Sequence, residues 1–176
     1  LLQAAQALDV PDDYLTEINL AASAFIASLT ERLQHGALLM IDYGFPRAEF
    51  YHLDRSGGTL MCHTRQRAHP DPLVRAGLHD ITAHVDFTAI AAAGHEAGLD
   101  LLGYTSQAMF LIGCGLDDVA AQALSGDVRA QLTVTNEIKK LTLPHEMGEL
   151  FKVIALGRGV AAPLRGFAMQ DRRARL

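Results

Sequence analysis

GALLMIDYGF, residues 36–45, is the stretch of sequence that decides the fold. An unbroken apolar run from Ala37 to Ile41 is followed at once by Asp42, Tyr43 and Gly44. The run is too short for a helix and apolar throughout, which predicts a parallel strand covered on both faces. Ligands of open α/β sheets bind beyond the carboxyl ends of the strands, so we expect Asp42 and Tyr43 at the edge where chemistry takes place.

The segments on either side of this strand indicate an α/β fold. Helical spacing of apolar residues predicts a helix over 18–34. Asp86 is predicted to cap a second helix, which should end near Gly98. Strands are predicted over 99–106 and 150–157. Further helices are predicted over 107–115, 116–126 and 127–143, with breaks at Gly115 and at Ser125–Gly126, and a short helical turn over 145–149.

Residues 45–83 show neither a helical nor a strand period, so we predict a long loop. A loop of that length in a compact domain is usually functional or disordered. At its end, DITAHVDF (residues 80–87) alternates apolar and polar side chains. If it is a strand, the polar residues share one side, and these are Asp80, Thr82, His84 and Asp86.

Composition excludes several functional classes. The 176 residues carry 20 acidic and 15 basic side chains, a net charge of −5, which argues against a general nucleic-acid or anionic-membrane surface. Basic residues still concentrate between Arg47 and Arg75 and in the tail, residues 157–176. No apolar run is long enough for a membrane span, and no secretory pattern opens the sequence, so a cytosolic or organelle-matrix protein is expected. The chain starts without Met in an amphipathic segment, which suggests a piece of a longer protein.

Several kinds of site are poorly supported. Cys62 and Cys114 lie far apart, and the spacing of His63 and His69 fits neither a helix nor a strand, so we expect no disulfide and no metal. No nucleophile motif and no nucleotide-binding glycine loop occurs. Asp42 could orient a cation, accept a proton or merely cap a turn. A weaker alternative is a metal hydrolase that would use the set Asp42, Asp80, His84 and Asp86.

Five separated stretches resemble one known family. They are LLMIDYGF (38–45), HTRQRAHPDPL (63–73), GLHDITAHVDFTAI (77–90), GYTSQAMFL (103–111) and LTLPHEMGELFKV (141–153). Together they look like the C-terminal half of the MidA family of S-adenosylmethionine-dependent methyltransferases. The resemblance implies the C-terminal half of a class I, Rossmann-like, seven-stranded sheet. It also implies a single or partial domain over 1–176, with a helical insertion at 107–149 between the last two strands and a basic tail at 157–176.

The same resemblance implies transfer of a methyl group from S-adenosylmethionine to an arginine of a protein substrate. Asp42 is the first catalytic candidate, with Tyr43 shaping the pocket, His63 and Asp80 in second rank, and Glu17 after them. The family's glycine-rich cofactor stretch, E-x-G-x-G-x-G, does not occur here, so no residue is assigned to the cofactor. That departure leaves an alternative function open, a non-catalytic module for protein binding or assembly.

The resemblance also carries expectations about partners and location. A protein substrate is expected, without nucleic acid or membrane, and a homodimer is among the expected states. The location would be the cytoplasm in a bacterium or the mitochondrial matrix in a eukaryote.

Overall fold

A computed structural model describes residues 1–65, 67–74, 76–123 and 127–176 of the chain. The predicted break at Ser125–Gly126 and the basic residue Arg75 lie outside these described residues. The helices are α1 (Leu2–Gln6), α2 (Leu20–Arg32), α3 (Arg47–Phe50), α4 (Phe87–Glu96), α5 (Gln107–Cys114), α6 (Leu116–Ala123), α7 (Val128–Thr142) and α8 (Met147–Leu150). The strands are β1 (Gly36–Phe45), β2 (Met61–Thr64), β3 (Arg67–His69), β4 (Asp80–Thr82), β5 (Val85–Asp86), β6 (Asp100–Ser106) and β7 (Phe151–Arg158).

Four strands form the main sheet, in the order β5-β1-β7-β6. β7 lies in its centre and pairs antiparallel with β1 on one side and with β6 on the other. β1 also pairs in parallel with β5, but only through Gly44 and Phe45. The predicted α/β fold class is thereby confirmed, and the strands predicted over 99–106 and 150–157 are present as β6 and β7, which pair antiparallel.

Three predictions for β1 are wrong. It is not a parallel strand over most of its length, since Gly36 to Tyr43 pair antiparallel with β7. The strand does not end at Asp42 but continues to Phe45, because β7 pairs with it as far as Tyr43 and β5 takes over at Gly44. It is also not covered on both faces, since Leu39 and Ile41 are 48% and 47% exposed. Backbone pairing with two neighbouring strands therefore outweighs the polar residues that seemed to end the strand.

Two apolar clusters lie on opposite faces of the main sheet. The larger one joins α2 and α4 to the sheet through the buried residues Ile26, Phe87, Ile90, Ala93, Leu99, Tyr104, Ile154 and Leu156. The smaller one joins Val153 and Ala155 to Phe167 of the C-terminal segment. Side chains alternate across a strand, so β7 contributes to both clusters. This double burial fixes the register of β7 against its neighbours.

The ends of α2, α4 and α5 follow from local chemistry. The side chain of Asn19 accepts hydrogen bonds from the backbone N–H groups of α2, and Asp86 accepts one from Ala89 at 3.1 Å. The predicted cap of α4 is thus confirmed. Gly115 ends α5 with a φ of +94°, a conformation that glycine adopts without strain.

The prediction of a structureless loop over residues 45–83 is wrong. This stretch holds α3 and a second, small sheet with the strand order β3-β2-β4. The strands of the small sheet are too short to show a period in the sequence. The condition of a single strand over 80–86 is not met, because β4 ends at Thr82 in the small sheet and β5 begins at Val85 in the main one.

Helices α5 to α8 connect β6 to β7, and the chain after β7 folds back onto the domain. Three arginines of this C-terminal segment form ion pairs with carboxylates of earlier elements. Arg165 pairs with Asp118, Arg172 with Glu149 and Arg175 with Glu49. Within the described ranges, no helix combines the length and apolar character that a membrane crossing would need.

Candidate functional site

A groove of about 1040 Å³ opens beside the end of β1. Its lining combines residues of α1, α2, β1 and α4 with the segments before α2 and before α4. Its charged and titratable members include Glu17, Asp42, Arg47, His84 and Asp86. The groove is also lined by Met40, Ile41 and Asp42 of β1 and by both residues of β5, next to the short parallel pairing of these two strands.

Asp42 is exposed and lies on the groove. One of its carboxylate oxygens accepts a hydrogen bond from the backbone N–H of Tyr43 at 2.8 Å. The carboxylate thus makes the local backbone contact considered for it and also lies on the groove, where its catalytic use stays a prediction.

Tyr43, Phe45 and His84 form an aromatic cluster, of which His84 lines the groove. The His84 ring lies 5.3 Å from that of Tyr43, edge to face, and 5.2 Å from that of Phe45. Arg55 covers Phe45, with its guanidinium carbon 3.9 Å from the ring centre. Such contacts hold the rings in fixed orientations.

Burial lowers the pKa of His84, and the Arg55 guanidinium lowers it further. The imidazole is therefore uncharged at neutral pH. Its Nδ1 atom is buried and has no hydrogen-bond partner among the described residues. His84 was not among the catalytic candidates that the family resemblance implies, although the alternative metal-hydrolase hypothesis includes it.

Glu17 connects the segment before α2 to the loop before β2. Its carboxylate accepts hydrogen bonds from the backbone N–H groups of Thr59 and Leu60 and from the Thr59 hydroxyl, at 2.8–3.0 Å. The same Thr59 hydroxyl accepts the backbone N–H of His84 at 3.0 Å. Glu17 thus positions the loop that holds His84.

Asp86 is fully engaged in structural contacts. Besides capping α4, its carboxylate accepts a hydrogen bond from Arg47 Nε at 3.1 Å. The backbone N–H of Arg47 in turn donates to the Thr88 hydroxyl at 2.9 Å. These bonds attach the start of α3 to the start of α4.

His63 and Asp80 lie in the small sheet, directly opposite each other on β2 and β4. Both are exposed, and neither lines the groove. The structure therefore brings Glu17, Asp42 and Tyr43 together near His84 and leaves His63 and Asp80 apart from them.

A smaller cavity of about 210 Å³ lies behind Phe45 and is rich in charge. Glu149 accepts two hydrogen bonds from Arg172, at 2.8 and 2.9 Å, and these lower the pKa of Glu149. Lys152 is almost fully buried, and burial lowers its pKa. Its Nζ donates to the backbone oxygen of Glu149. In the sequence, the only sign of this cavity is a single lysine within the apolar run of β7, and we predicted no site from it.

Comparison with known proteins supports the resemblance seen in the sequence. Residues 1–105 match the sequence profile of a family described as "Putative S-adenosyl-L-methionine-dependent methyltransferase". Over 165 residues the chain is 29% identical to the "Protein arginine methyltransferase NDUFAF7 homolog, mitochondrial" of Drosophila melanogaster, an alignment that covers 86% of this chain and 35% of the fly protein.

Two crystal structures from Burkholderia thailandensis, each 50% identical to this chain, superpose with a TM-score of 0.94. One is a native structure, in which the match covers 99% of this chain and 47% of the other. The second is described as a "likely methyl transferase" bound to S-adenosyl-homocysteine, with 100% and 46% covered. The chain thus spans about half the length of these structures and about a third of the fly protein.

The profile match extends over more than half of the chain and includes the groove residues Glu17, Asp42 and His84. The fold likeness extends over essentially all of it. The chain therefore belongs to the MidA-type family of S-adenosyl-L-methionine-dependent methyltransferases.

Proposed function

We propose that this protein is an S-adenosylmethionine-dependent methyltransferase that modifies an arginine side chain of a protein substrate. One observation carries the proposal: an exposed carboxylate, Asp42, and an uncharged imidazole, His84, line the same groove at the end of β1. Family membership supplies the reaction class, and the similarity to the fly arginine methyltransferase supports the choice of acceptor.

The groove suits the cofactor in size and charge. Ligand sites commonly enclose about 300–1,000 Å³, and acidic side chains favour a cation such as a sulfonium. The bound cofactor would supply an electrophilic methyl group. No residue of this chain is assigned to hold it. The proposal includes the seven-stranded class I sheet, with 107–149 as a helical insertion, and the order β5-β1-β7-β6 is compatible with that arrangement.

Asp42 and His84 can together prepare a guanidinium for attack. A guanidinium is cationic and a poor nucleophile, so a proton has to leave the reacting nitrogen. In the proposal, Asp42 holds the cation in the groove by charge-assisted hydrogen bonds. His84 accepts the proton, because its lowered pKa keeps the imidazole free at neutral pH. Tyr43 restricts the orientation of the substrate through its ring contact with His84.

The remaining candidates have supporting roles in the proposal. Glu17 keeps Thr59 in place, and through it the backbone of His84. His63 and Asp80 lie on the exposed small sheet, where they would contact the protein substrate beyond the arginine. We further propose the bacterial cytoplasm or the mitochondrial matrix as the location, and a homodimer as one state to be tested.

The test is cofactor binding and methyl transfer by the full-length protein. Calorimetry with S-adenosylmethionine and S-adenosyl-homocysteine should show binding. Radiolabelled methyl groups should appear on arginine after incubation with a cell extract. Asp42→Asn should lower the rate at least about tenfold, since a neutral amide no longer holds and orients the guanidinium by charge-assisted hydrogen bonds.

Asp100→Asn is the matched control, because Asp100 is an exposed aspartate at the start of β6, outside the groove. Its activity should equal that of the wild type. Absence of binding heat at millimolar cofactor would refute the enzyme and favour the alternative, a non-catalytic module for protein binding. Radiolabelled methyl groups on lysine instead of arginine would refute only the proposed acceptor residue and not the methyl transfer itself.

A further inference from the structure

Three metal-binding side chains meet in the small sheet, away from the groove. They are Cys62 on β2, His69 at the end of β3 and His79 just before β4, and one ligand atom of each lies within 4.8 Å of the other two. Cys62 is fully buried, and both histidines are half-buried. Cys62 and His69 are direct cross-strand partners, which places their side chains on the same face.

The two histidines have ring nitrogens without a partner. The Nδ1 atoms of His69 and His79 are buried and form no hydrogen bond with any described residue. The rings themselves meet edge to face at 4.9 Å. Buried polar atoms normally have partners, so two such atoms beside a buried thiol point to a ligand that all three share.

His79 already has the second contact that metal-binding histidines usually make. Its Nε2 atom lies 3.4 Å from the backbone oxygen of Pro72. Metal-binding histidines commonly donate their other ring N–H to a backbone carbonyl, which fixes the tautomer and leaves the opposite nitrogen free to bind. In His79 the free nitrogen is the unpartnered Nδ1.

From this geometry we propose that Cys62, His69 and His79 bind one Zn²⁺ ion. A thiolate with two imidazoles suits zinc and does not suit magnesium or calcium, which prefer oxygen ligands. Tetrahedral zinc, with bonds of about 2.0–2.3 Å, needs ligand atoms about 3.3–3.6 Å apart, so small side-chain rotations would close the site. The fourth position would hold water, since no other His, Cys, Asp or Glu of the described residues joins the group.

The metal would stabilise a sheet that has little apolar core. Met61 and Ile81 of β2 and β4 are exposed, and Cys62 is the one fully buried residue in the described parts of the three strands. A zinc ion bound to all three ligands would cross-link the strands and hold their neighbours His63 and Asp80 opposite each other. From the sequence we expected no metal, because the spacing of His63 and His69 fits neither a helix nor a strand. In the structure the histidine that lies beside His69 is His79.

The test uses untagged full-length protein and measures metal directly. Mass spectrometry of the purified protein should find about one zinc per chain. After removal of the metal by a chelator, titration with Co²⁺ should give visible d–d bands and a thiolate charge-transfer band in the near ultraviolet. Zinc should also raise the melting temperature of the metal-free protein.

Variants separate this site from adventitious binding. Cys62→Ser should lose the charge-transfer band, and His69→Ala and His79→Ala should each weaken zinc binding by at least about tenfold. His63→Ala is the matched control, because His63 is an exposed histidine on the same strand, and it should bind zinc like the wild type.

Circular dichroism would establish that each variant is folded. If Cys62→Ser does not fold, the two histidine variants still decide the question. The proposal is overturned if folded wild-type protein binds no stoichiometric zinc at micromolar concentration. It is also overturned if both folded histidine variants bind zinc as tightly as the wild type. Neither result bears on the proposed methyl transfer, because the three ligands lie outside the groove.

Discussion

The main sheet and the small sheet of this protein are stabilised in different ways. In the main sheet, every residue of β7 from Lys152 to Gly157 is buried, and apolar clusters cover both faces of the strand. In the small sheet, the described residues of β2, β3 and β4 are mostly exposed. The main sheet is thus stabilised by burial of apolar surface, whereas the small sheet depends on a few specific polar contacts.

The groove lies where these two parts meet. β1 supplies Asp42 and Tyr43 from the main sheet, and Glu17 with Thr59 connects the loop before the small sheet to His84. The main sheet therefore fixes the position of the Asp42 carboxylate, while the hydrogen bonds of Glu17 and Thr59 position the imidazole of His84. We expect substitutions in the main sheet to change global stability and substitutions in the polar contacts to change the site locally.

Matched isoleucine substitutions give the largest expected difference between the two sheets. Ile154 of β7 is 0% exposed, and Ile81 of β4 is 50% exposed. Ile154→Ala should lower the free energy of unfolding by about 3 kcal/mol, since it removes buried methyl groups and leaves a cavity. Ile81→Ala should lower it by less than about 1 kcal/mol. Urea unfolding followed by circular dichroism measures both values.

Equal losses from the two substitutions would contradict the comparison. In that case Ile81 would contribute to a core as Ile154 does, and the small sheet would not depend chiefly on polar contacts. A loss confined to Ile154→Ala would sharpen the comparison, because both substitutions remove the same atoms.

The second prediction concerns Glu17. Glu17→Gln replaces a charged acceptor of several hydrogen bonds with a neutral amide, so we expect a loss of about 2 kcal/mol. The loss should be local. Amide exchange at Thr59, Leu60 and His84 should accelerate, while exchange in β7 should change little.

Glu31→Gln provides the control, because Glu31 is an exposed glutamate on α2. It should leave the exchange at all of these positions unchanged. If Glu17→Gln accelerated amide exchange in β7 as much as at Thr59, Leu60 and His84, the main sheet and the polar contacts around Glu17 would unfold together. The division into two independently stabilised sheets would then be wrong.

The same division explains what the sequence could predict. Elements around the main sheet have long periodic patterns and clear caps, so α2, α4, β6 and β7 were found close to their true bounds. The strands of the small sheet have no period that a sequence can reveal, and their pairing is set by contacts between distant residues. The predicted end of β1 is wrong for a related reason. The pairing of Gly44 with β5 depends on a residue far away in the chain, so the residues around Gly44 give no sign of it.

For the site, the sequence predicted individual candidate residues more easily than it predicted which of them lie close together in the fold. Asp42 and Tyr43 were chosen from their position on one strand, and the structure places Asp42 on the groove. His84 was predicted only as a member of the alternative metal-hydrolase set, because its contact with Tyr43 joins β1 to the link between β4 and β5, which is far away in the chain. His79 and Cys62 meet in the same non-local way.

A helix cap in each environment tests a smaller effect. Asp86 caps α4 beside the groove, and Asp127 caps the exposed helix α7. Loss of a capping carboxylate usually lowers stability by about 1 kcal/mol. The loss of stability should be larger than this for Asp86→Ala, because Arg47 also loses its partner. For Asp127→Ala the loss should be equal to this value or smaller. Thermal unfolding of both variants gives the comparison, and a larger loss for Asp127→Ala would contradict it.

The smallest expected effect is the pH dependence contributed by His84. Its pKa in the folded protein lies below the unfolded value of about 6.5, mainly because of burial. The unfolded chain therefore binds the proton more readily. The stability that His84 contributes is complete above pH 6.5 and is lost as the pH falls toward the folded pKa. The free energy of unfolding of wild type minus that of His84→Gln should accordingly shrink between pH 8 and pH 5.5.

The direction of that change decides whether His84 can act as the proton acceptor. His95→Gln is the control, because His95 is an exposed histidine near the end of α4 and does not line the groove. A difference between wild type and His84→Gln that grows as the pH falls would mean that folding favours the charged imidazole. The pKa of His84 in the folded protein would then be raised instead of lowered, and the imidazole would be less available to take a proton from a guanidinium. Asp42 would have to both bind and deprotonate the substrate, and the site would depend on the main sheet alone.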